Sequence, residues 1–313
     1  MNICNSFDEI TYDPNTVITV GTFDGVHKGH QQIIKRLLEI AKTENLRPVL
    51  ITFDPHPQIV LQKQGKDPIR LLTVISERVK LLEKFGINYT FIIPFSYEFS
   101  QTTPEDFISD FLYKKIGMKK ILIGWDHMFG KDREGDKNLL LRLGNKLDFG
   151  VEKVEQFNEN DITISSTKIR NTLKDKNLEL ANQMLGYNYI AEGYVSKGLG
   201  MGTKLGYPTA NIAIPDKHKQ MPANGVYLVS SKIGNQLYYG MANIGTRPTF
   251  TKDCNILLEV HFFHMDFDIY MSELTINFIK FIRDEKKFAS PADLKIQLGQ
   301  DKKKCKELIK SIL

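Results

Sequence analysis

The sequence contains little cysteine and no long hydrophobic run. Its three cysteines, Cys4, Cys254 and Cys305, are far apart and odd in number, which argues against a disulfide framework or a zinc ribbon. No apolar run approaches the roughly 18 residues that a membrane-spanning helix needs. The N-terminus has no basic segment followed by an apolar core, so no secretory signal is visible. We therefore expect reduced thiols, a cytoplasmic location and no role at a membrane.

The sequence also lacks a strong net charge. The 42 lysines and arginines exceed the 37 acidic residues only enough to give a net charge of +5. Any enzyme that handles ATP can carry such an excess, so we expect no nucleic-acid partner. The 313 residues exceed what one hydrophobic core usually organises, and 42% hydrophobic with 25% charged residues is typical of a globular protein. Two globular domains are therefore expected.

The stretch VITVGTFDGVHKGHQQIIKR, residues 17–36, is the first informative one. A β-branched run, a glycine-containing turn and a helical spacing of apolar residues follow one another, which predicts a strand, a turn and a helix. His27 and His30 lie where the helix begins, and a helix N-terminus is a natural seat for phosphate. An HxxH pair is more often a surface feature or half a metal site, but this position favours an anion site.

Strands and helices continue to alternate after this unit. The predicted strands are residues 17–20, 48–53, 89–93, 120–123 and 151–154. Such alternation predicts a mostly parallel sheet with helices on both faces, whose ligands bind beyond the carboxyl ends of the strands. Asp24, His56 and Asp126 all fall at these ends, so we expect them to share one site.

A second candidate phosphate segment is ISSTKIR, residues 164–170. Ser166 and Thr167 are good helix caps, and Arg170 follows one turn after Thr167 on the same face. A hydroxyl, helix N–H groups and a guanidinium at one place suit the outer phosphates of ATP. Taken alone, an ordinary capped helix with a solvated arginine is the favoured interpretation.

The pattern changes near residue 186, where we place the boundary between domains 1–186 and 187–313. Short β-branched runs separated by turn residues predict an antiparallel barrel with strands at residues 190–195, 207–214, 226–232, 237–243, 257–263 and 274–281. A helix is expected after Ser290. The glycine-rich loop at 198–206 fits neither standard phosphate-loop motif, so it is either a phosphate-wrapping loop or a flexible hairpin. His261 and His264 have no third metal ligand at a suitable spacing and are interpreted as structural.

Two sets of motifs resemble known families. GTFDGVHKGH and ISSTKIR resemble the two signatures of the HxGH nucleotidyltransferases, in the wording of the FMN adenylyltransferase half of bacterial bifunctional riboflavin kinase/FAD synthetases. GTKLGYPTAN resembles the glycine-rich loop and PTAN motif of riboflavin kinases, and NIGTRPTF, LEVH and IRDEKKF continue that likeness. The resemblance covers nearly the whole chain. It implies an α/β Rossmann-like nucleotidyltransferase domain followed by an antiparallel β-barrel riboflavin kinase domain with a C-terminal helix.

For the first domain the resemblance implies that the phosphate of FMN attacks the α-phosphorus of ATP and that pyrophosphate leaves. His27 and His30, with help from Lys28, would steady the charge on the α-phosphate. His56 and Asp126 would bind flavin or nucleotide. The remaining ATP-binding residues would be Gly21, Phe23, Asp24, Gly29, Ser166, Thr167 and Arg170. His127 departs from the family, which commonly has phenylalanine at this position.

For the second domain the resemblance implies transfer of phosphate from ATP to riboflavin. Glu259 would take the proton from the riboflavin 5′-hydroxyl, although a salt-bridged strand carboxylate is the alternative. Thr209 and Asn211 would coordinate Mg²⁺, which favours hard oxygen ligands. ATP would be bound by Gly198, Gly200, Gly202 and Lys204, and flavin by Arg247 and Arg283. Met271 departs from the glycine that the family often has, so we expect a local difference in that turn.

Two other classes of protein would account for part of the sequence. A cytidylyltransferase or a pantetheine-phosphate adenylyltransferase would share the first signature but leave the PTAN barrel unexplained. A non-enzymatic flavin-binding or nucleic-acid-binding module would predict loss of His27, His30, Thr209 or Glu259, and all four are present. The expected protein is a bifunctional enzyme that makes FMN and then FAD from riboflavin and ATP with Mg²⁺. We expect a monomer or a weak homo-oligomer.

Overall fold

The structure is a computed structural model in which the chain forms two compact units, Met1–Ser166 and Thr167–Leu313. The residues that it describes are 1–62, 65, 67–125, 129–131, 134–155, 157–159, 162–196, 201–246, 256–265 and 269–312. Among these residues no helix combines the length and the apolar character that crossing a membrane requires.

A six-stranded parallel sheet forms the centre of the first unit, as the sequence predicts. Its order is β1-β4-β3-β2-β5-β6. The strands are β1 (Asn2–Cys4), β2 (Thr16–Val20), β3 (Arg47–Asp54), β4 (Tyr89–Pro94), β5 (Met118–Ile123) and β6 (Gly150–Lys153). Every residue of β2 is buried, which explains its β-branched composition. The three-residue β1, which pairs with β4, was not predicted.

Helices connect these strands. They are α1 (Lys28–Thr43), α2 (Pro57–Val60), α3 (Ile75–Lys84), α4 (Tyr97–Ser100), α5 (Pro104–Asp106) and α6 (Lys137–Leu147). The helix α5 continues as a π-helix over Phe107–Ile116. On α1, the buried residues Ile34, Leu37, Ile40 and Ala41 form the apolar face that the sequence spacing predicts. A two-stranded ribbon of β7 (Asn158–Glu159) and β8 (Ile162–Thr163) follows β6.

The strand order reverses direction beside β2. From β2 the chain moves to β3 and β4 on one side, and β5 and β6 lie on the other. In open α/β sheets, ligands bind in the crevice beyond the carboxyl ends of the strands at such a reversal. The turn that follows β2 carries Gly21 to His27, so the topology places the first signature at this crevice.

The second unit is built on a closed antiparallel barrel in the order β10-β13-β12-β11-β14-β9, which confirms the predicted barrel. It follows α7 (Ser166–Lys174) and α8 (Leu178–Leu185). Its strands are β9 (Tyr189–Ser196), β10 (Ala210–Ala213), β11 (Gly225–Ile233), β12 (Gln236–Thr246), β13 (Ile256–Phe262) and β14 (Glu273–Arg283). The prediction of a strand over 207–214 was too long, because Tyr207 to Thr209 lie outside β10 and follow the short helix α9 (Met201–Lys204).

The C-terminal helix α10 (Pro291–Ile312) packs on the outside of this barrel. A six-stranded barrel has no interior space for a helix, so the cluster that includes α10 marks the outer face. The cluster joins Cys305 of α10 to Val226, Leu228, Met241, Phe263 and Ile282, with Leu298, Leu308 and Ile309 packed against it. The predicted C-terminal helix is confirmed, and it covers part of the outer surface of the strands.

Candidate active sites

The turn between β2 and α1 places both histidines of the first signature at the start of α1. His27 is the N-cap residue, and its Nδ1 accepts a hydrogen bond from the backbone N–H of His30 at 3.4 Å. Gly29 leaves room for this arrangement, because a Cβ there would lie 3.3 Å from the His27 ring. The two imidazoles are therefore held at the positive end of a 16-residue helix, where anions are stabilised.

The two imidazole rings are in contact. Their centroids are 3.7 Å apart, with an angle of 15° between the planes. Desolvation lowers the pKa of His30 well below its usual value of 6.5, and the charges of His27 and Arg78 lower this pKa further. The Nδ1 atom of His30 is buried and has no hydrogen-bond partner among the described residues. A neutral imidazole whose Nδ1 has no hydrogen-bond partner in the absence of ligand is suited to bind an incoming phosphate.

The backbone of this turn is strained. Phe23, Gly25 and Val26 have φ angles of 47°, 83° and 35°, all in the region that favours glycine. Val26 is β-branched and fully buried, so its positive φ is a real cost that the surrounding structure must offset. Gly21 lies close to the ring of Phe23, since a Cβ there would be 3.1 Å from it. Such strained turns are typical of ligand sites.

The buried carboxylate of Asp24 holds the turn in place through hydrogen bonds. Its carboxylate is 1% exposed and accepts hydrogen bonds from the backbone N–H groups of Leu72 at 3.2 Å and Thr73 at 2.9 Å. The Thr73 hydroxyl in turn accepts a hydrogen bond from the N–H of Gly25 at 2.9 Å. These contacts give Asp24 a role in positioning the turn. The direct ATP contact inferred from the resemblance stays a prediction.

Arg78 on α3 is a buried residue of this site that the sequence analysis missed. It is fully buried, and its guanidinium donates to the Thr52 hydroxyl at 3.1 Å, the Phe53 carbonyl at 3.0 Å and the Thr73 carbonyl at 3.3 Å. It therefore ties the end of β3 to the segment that holds Asp24. Burial lowers the pKa of Arg78, while the charges of Asp24, Asp54 and Glu77 oppose that shift. A lone arginine on an amphipathic helix gives no sequence signal for this role.

The second signature reaches the same turn through Ser166. Its hydroxyl donates a hydrogen bond to the backbone carbonyl of Asp24 at 2.8 Å, across 142 residues of sequence. The two signatures therefore contact each other at this residue. Thr167 and Arg170 follow on α7, where Thr167 is exposed and Arg170 is half-buried.

His56 lies at the carboxyl end of β3, as predicted. It is 5% exposed and is the N-cap residue of α2, where its Nδ1 accepts a hydrogen bond from the N–H of Gln58 at 3.1 Å. Four other predicted site residues, Asp126, Gly198, Gly200 and Arg247, lie outside the described residues, as do His127 and the side chain of Lys204.

In the barrel, strand register places the predicted kinase residues in one row. Glu259 of β13 is the direct partner of Asn211 on β10 and of Asn243 on β12. Adjacent strands lie about 4.8 Å apart, so the side chains of direct partners are neighbours on one face. The row continues through Val226 to Arg283. The predicted metal ligand Asn211 therefore lies beside the predicted base Glu259, and Asn243 is a neighbour that the sequence analysis did not single out.

This row lies on the outer face of the barrel. Val226 belongs to the cluster that packs against α10, and Glu259 shares its face. Leu258 and Val260, on the opposite face of β13, are fully buried, whereas Glu259 is half-buried. The alternation along β13 therefore directs the Glu259 side chain outward from the barrel, on the face where α10 packs.

The segment before β10 brings Thr209 against the glycine-rich loop. A Cβ at Gly202 would lie 2.3 Å from the carbonyl oxygen of Tyr207 and 3.1 Å from the Thr209 hydroxyl, so only glycine fits there. The backbone N–H of Tyr207 donates to the carbonyl of Gly202 at 2.9 Å. Thr209 is exposed, and Asn211 follows it by two residues. Two neutral oxygen donors therefore lie at the base of the loop.

Arg283, predicted to contact flavin, is engaged by α10. Its Nε and Nη2 atoms donate to the carboxylate of Asp301, with the shortest distance 2.7 Å. Asp301 is 3% exposed and also accepts a hydrogen bond from Gln297. This pair fastens α10 to β14. The flavin contact stays a prediction.

The donors at Thr209 and Asn211 fit Mg²⁺ rather than a softer metal. No group of three His, Cys, Asp or Glu side chains able to hold a metal occurs in the described part of the chain. Mg²⁺ keeps several waters and is commonly bound through few protein oxygens together with substrate phosphates. A hydroxyl and an amide oxygen beside a glycine-rich loop are compatible with that mode of binding.

Comparison with known proteins matches each half of the chain to a family model. A family model described as FAD synthetase matches residues 9–168, and one described as riboflavin kinase matches residues 185–309. The bifunctional riboflavin kinase/FMN adenylyltransferase of Escherichia coli (strain K12) is 37% identical over 93% of this chain and 92% of its own length. The protein of that name from Bacillus subtilis (strain 168) is 33% identical over 92% of this chain and 90% of its own.

One solved structure is similar along almost the whole chain. It is described as a macrolide-efflux protein from Streptococcus pneumoniae, with 31% identity, a TM-score of 0.86, and coverage of 96% of this chain and 97% of that one. The parallel sheet with its HxGH turn and the closed barrel with its Asn–Glu row define a two-part nucleotide-dependent transferase. The chain belongs to the family of bifunctional riboflavin kinase/FMN adenylyltransferases.

Proposed function

We propose that this chain carries out both reactions of its family, each in its own half. The barrel half phosphorylates riboflavin with ATP to give FMN. The α/β half adenylates FMN with a second ATP to give FAD and pyrophosphate. The predicted domains 1–186 and 187–313 would divide these activities. The observation that carries the proposal is that each half has its own pair of candidate catalytic or metal-binding side chains side by side, His27 with His30 and Asn211 with Glu259.

In the α/β half, an oxygen of the FMN phosphate attacks the α-phosphorus of ATP as the bond to the pyrophosphate oxygen breaks. Such a transfer depends on positioning and charge stabilisation and needs no covalent intermediate with the protein. We assign His27 and His30 to the developing charge at the α-phosphate. Ser166, Thr167 and Arg170 would hold the leaving pyrophosphate. The strained turn and the hydrogen bond from Ser166 to Asp24 support this assignment, because they fix the donors before ATP arrives.

In the barrel half, the riboflavin 5′-hydroxyl attacks the γ-phosphorus of ATP and ADP leaves. We assign Glu259 as the group that takes the hydroxyl proton, because it is the one acidic residue in the described row with Asn211 and Asn243. Thr209 and Asn211 would hold Mg²⁺, which would neutralise phosphate charge when bound. Gly202 lets the loop backbone approach, and Lys204 would add a positive charge near the phosphates.

We further propose that the enzyme acts in the cytoplasm as a monomer or weak homo-oligomer, without a nucleic-acid partner. The free thiols of Cys4 and Cys305 and the mild net charge of +5 support this proposal. Light scattering at several protein concentrations, with and without nucleic acid, tests the assembly state and the absence of that partner.

A direct assay tests the two activities together. The purified chain is incubated with riboflavin, ATP and Mg²⁺, and FMN and FAD are separated and quantified over time. We expect FMN to form first and FAD to follow. A fragment covering residues 187–313 should make FMN but no FAD, so appearance of FAD from that fragment would contradict the division between the halves.

A further inference from the structure

The segment that carries Thr209 is anchored to β13 by His261. The Nδ1 atom of His261 lies 2.8 Å from the backbone carbonyl oxygen of Pro208. A carbonyl oxygen only accepts hydrogen bonds, so Nδ1 carries the hydrogen and donates it. Pro208 is adjacent to Thr209 in the chain, and His261 is 6% exposed. The bond therefore fixes the backbone beside the proposed metal ligand.

The other ring nitrogen of His261 faces α10. Its Nε2 lies 3.4 Å from the ammonium of Lys302, which has hydrogens to donate. Burial lowers the pKa of His261; the bond to Pro208 opposes this shift, and the charge of Lys302 reinforces it. The neutral ring accepts from Lys302 at Nε2 and donates to Pro208 at Nδ1. A chain of two hydrogen bonds thus runs from the C-terminal helix to the segment before β10.

His261 and Lys302 also contact the aromatic ring of Tyr207, which precedes Pro208. The ring of Tyr207 lies 5.3 Å from that of His261, and the Lys302 ammonium lies 5.6 Å from the Tyr207 centroid and 5.7 Å from that of Phe263. Gly299 of α10 lies close to the Tyr207 hydroxyl, because a Cβ there would be 3.4 Å away. Residues from β13 and α10 therefore contact the ring of Tyr207 and the carbonyl of Pro208.

We propose that His261 and Lys302 are positioning residues of the kinase site, which hold the Pro208 carbonyl so that Thr209 is in place for the metal and nucleotide. This inference rests on the proposed roles of Thr209 and Glu259. Glu259 and His261 are two residues apart on one face of β13, so a single strand sets both the base and the anchor of the metal segment. The helix α10, through Lys302, makes that geometry depend on the C-terminus.

Two substitutions of His261 distinguish the hydrogen bond to the Pro208 carbonyl from the packing of the imidazole ring. The amide nitrogen of asparagine can replace Nδ1–H, whereas the longer glutamine places its amide near Nε2. We expect His261→Gln to raise the Mg²⁺ concentration for half-maximal FMN formation about 10–100-fold, the usual range for loss of a residue that orients a metal ligand. His261→Asn should stay within a few-fold of the parent in the same assay. Adenylation of supplied FMN reports on the integrity of the other half.

Hydrogen exchange gives a readout that is independent of activity. In the protein without metal or nucleotide, amides of residues 205–211 should exchange faster in His261→Gln than in the parent, and near the parent rate in His261→Asn. Lys302→Met should show a smaller shift in the Mg²⁺ requirement in the same direction as His261→Gln. Lys303→Met, which removes an exposed neighbouring lysine on α10, should show none.

Thr209→Ala distinguishes the metal-binding role of Thr209 from the anchoring role of His261. If Thr209→Ala raises the Mg²⁺ requirement and His261→Gln does not, the anchoring role of His261 is wrong, while Thr209 keeps its assignment as a metal ligand. If neither substitution changes the Mg²⁺ requirement, the assignment of Thr209 itself is wrong. The proposal would also be overturned if His261→Asn and His261→Gln raised the Mg²⁺ requirement equally and had equal rates of amide hydrogen exchange. Both effects would then come from the loss of side-chain packing and not from the loss of the hydrogen bond to Pro208.

Discussion

The imidazole rings of His27 and His30 are stacked 3.7 Å apart at the first turn of α1. Replacing His30 by alanine removes the ring whose buried Nδ1 has no partner among the described residues. We expect FAD formation from supplied FMN to fall about 10²–10³-fold, the usual loss on removing a preorganised charge stabiliser. Phosphorylation of riboflavin should remain close to the parent rate. The control is His218→Ala, at a half-buried histidine between β10 and β11 of the second unit. A parental rate of adenylation in His30→Ala would show that this turn takes no part in the reaction.

The protonation state of His30 gives a pH prediction. Burial, His27 and Arg78 lower its folded-state pKa well below 6.5, so the unfolded chain takes up this proton first as the pH falls. The stability from the neutral ring is fully present above about pH 6.5 and is lost as the pH falls toward the folded-state pKa. NMR titration without ligand should give His30 a midpoint below 6.5. A midpoint near 6.5 would contradict the predicted shift.

Glu259→Gln tests the proposed base. Glutamine keeps the shape and a hydrogen-bonding oxygen but cannot take a proton, so FMN formation should fall about 10²–10⁴-fold while nucleotide binding changes little. FAD made from supplied FMN should be unaffected. Glu307→Gln, at an exposed position on α10, is the matched control. Normal riboflavin phosphorylation by Glu259→Gln would leave Glu259 as a structural strand carboxylate.

Removal of Arg78 should destabilise the first unit. Arg78→Met leaves Asp24 and Glu77 buried without the positive charge that faces them, which typically costs about 3–5 kcal/mol. Arg78→Lys keeps the charge but loses the planar fork, so its loss should be smaller. The measurement is the urea concentration at which adenylation activity is half lost, with kinase activity followed in the same samples. Equal midpoints for parent and Arg78→Met would exclude this structural role.

Met271 offers a stabilising substitution. Its φ is 66°, and its side chain is 71% exposed, so it occupies a left-handed position without compensating burial. Met271→Gly should raise the free energy of unfolding of the barrel by up to about 1 kcal/mol, because glycine adopts this conformation without a Cβ clash. Met271→Ala keeps the Cβ and should give no gain. A thermal shift of similar size in both variants would indicate a cause other than backbone strain.

Regular periodicity explains why most of the fold was predictable. The buried runs of β2 and β3 and the apolar face of α1 are local patterns, and they identify the parallel sheet before any tertiary contact is known. The six barrel strands were found in the same way. The short strand β1 and the true start of β10 were missed. Three residues carry too little pattern, and the backbone at Pro208 is held by His261 from another strand.

The site was less predictable, because it depends on contacts between residues far apart in sequence. Motif resemblance located His27, Ser166, Asn211 and Glu259. It could not show that the carboxylate of Asp24 faces Thr73. The function of Arg78 depends on three hydrogen-bond acceptors from two segments, and no spacing rule reports that arrangement. The direction of Glu259 required the strand register and the position of α10, which the sequence of β13 alone does not contain.

The hydrogen bond between Ser166 and Asp24 bears on how the enzyme is made at the ribosome. Synthesis proceeds from the N-terminus, and Ser166 emerges 142 residues after Asp24. The histidine turn is therefore exposed long before β5, its neighbouring strand, and Ser166 exist to complete it. Until then the nascent chain contains both histidines and the glycine-containing turn, but it lacks β5 and Ser166, so the proposed ATP site is incomplete. If Ser166 has its proposed role, adenylation would become possible only after the segment that contains Ser166 has left the ribosome.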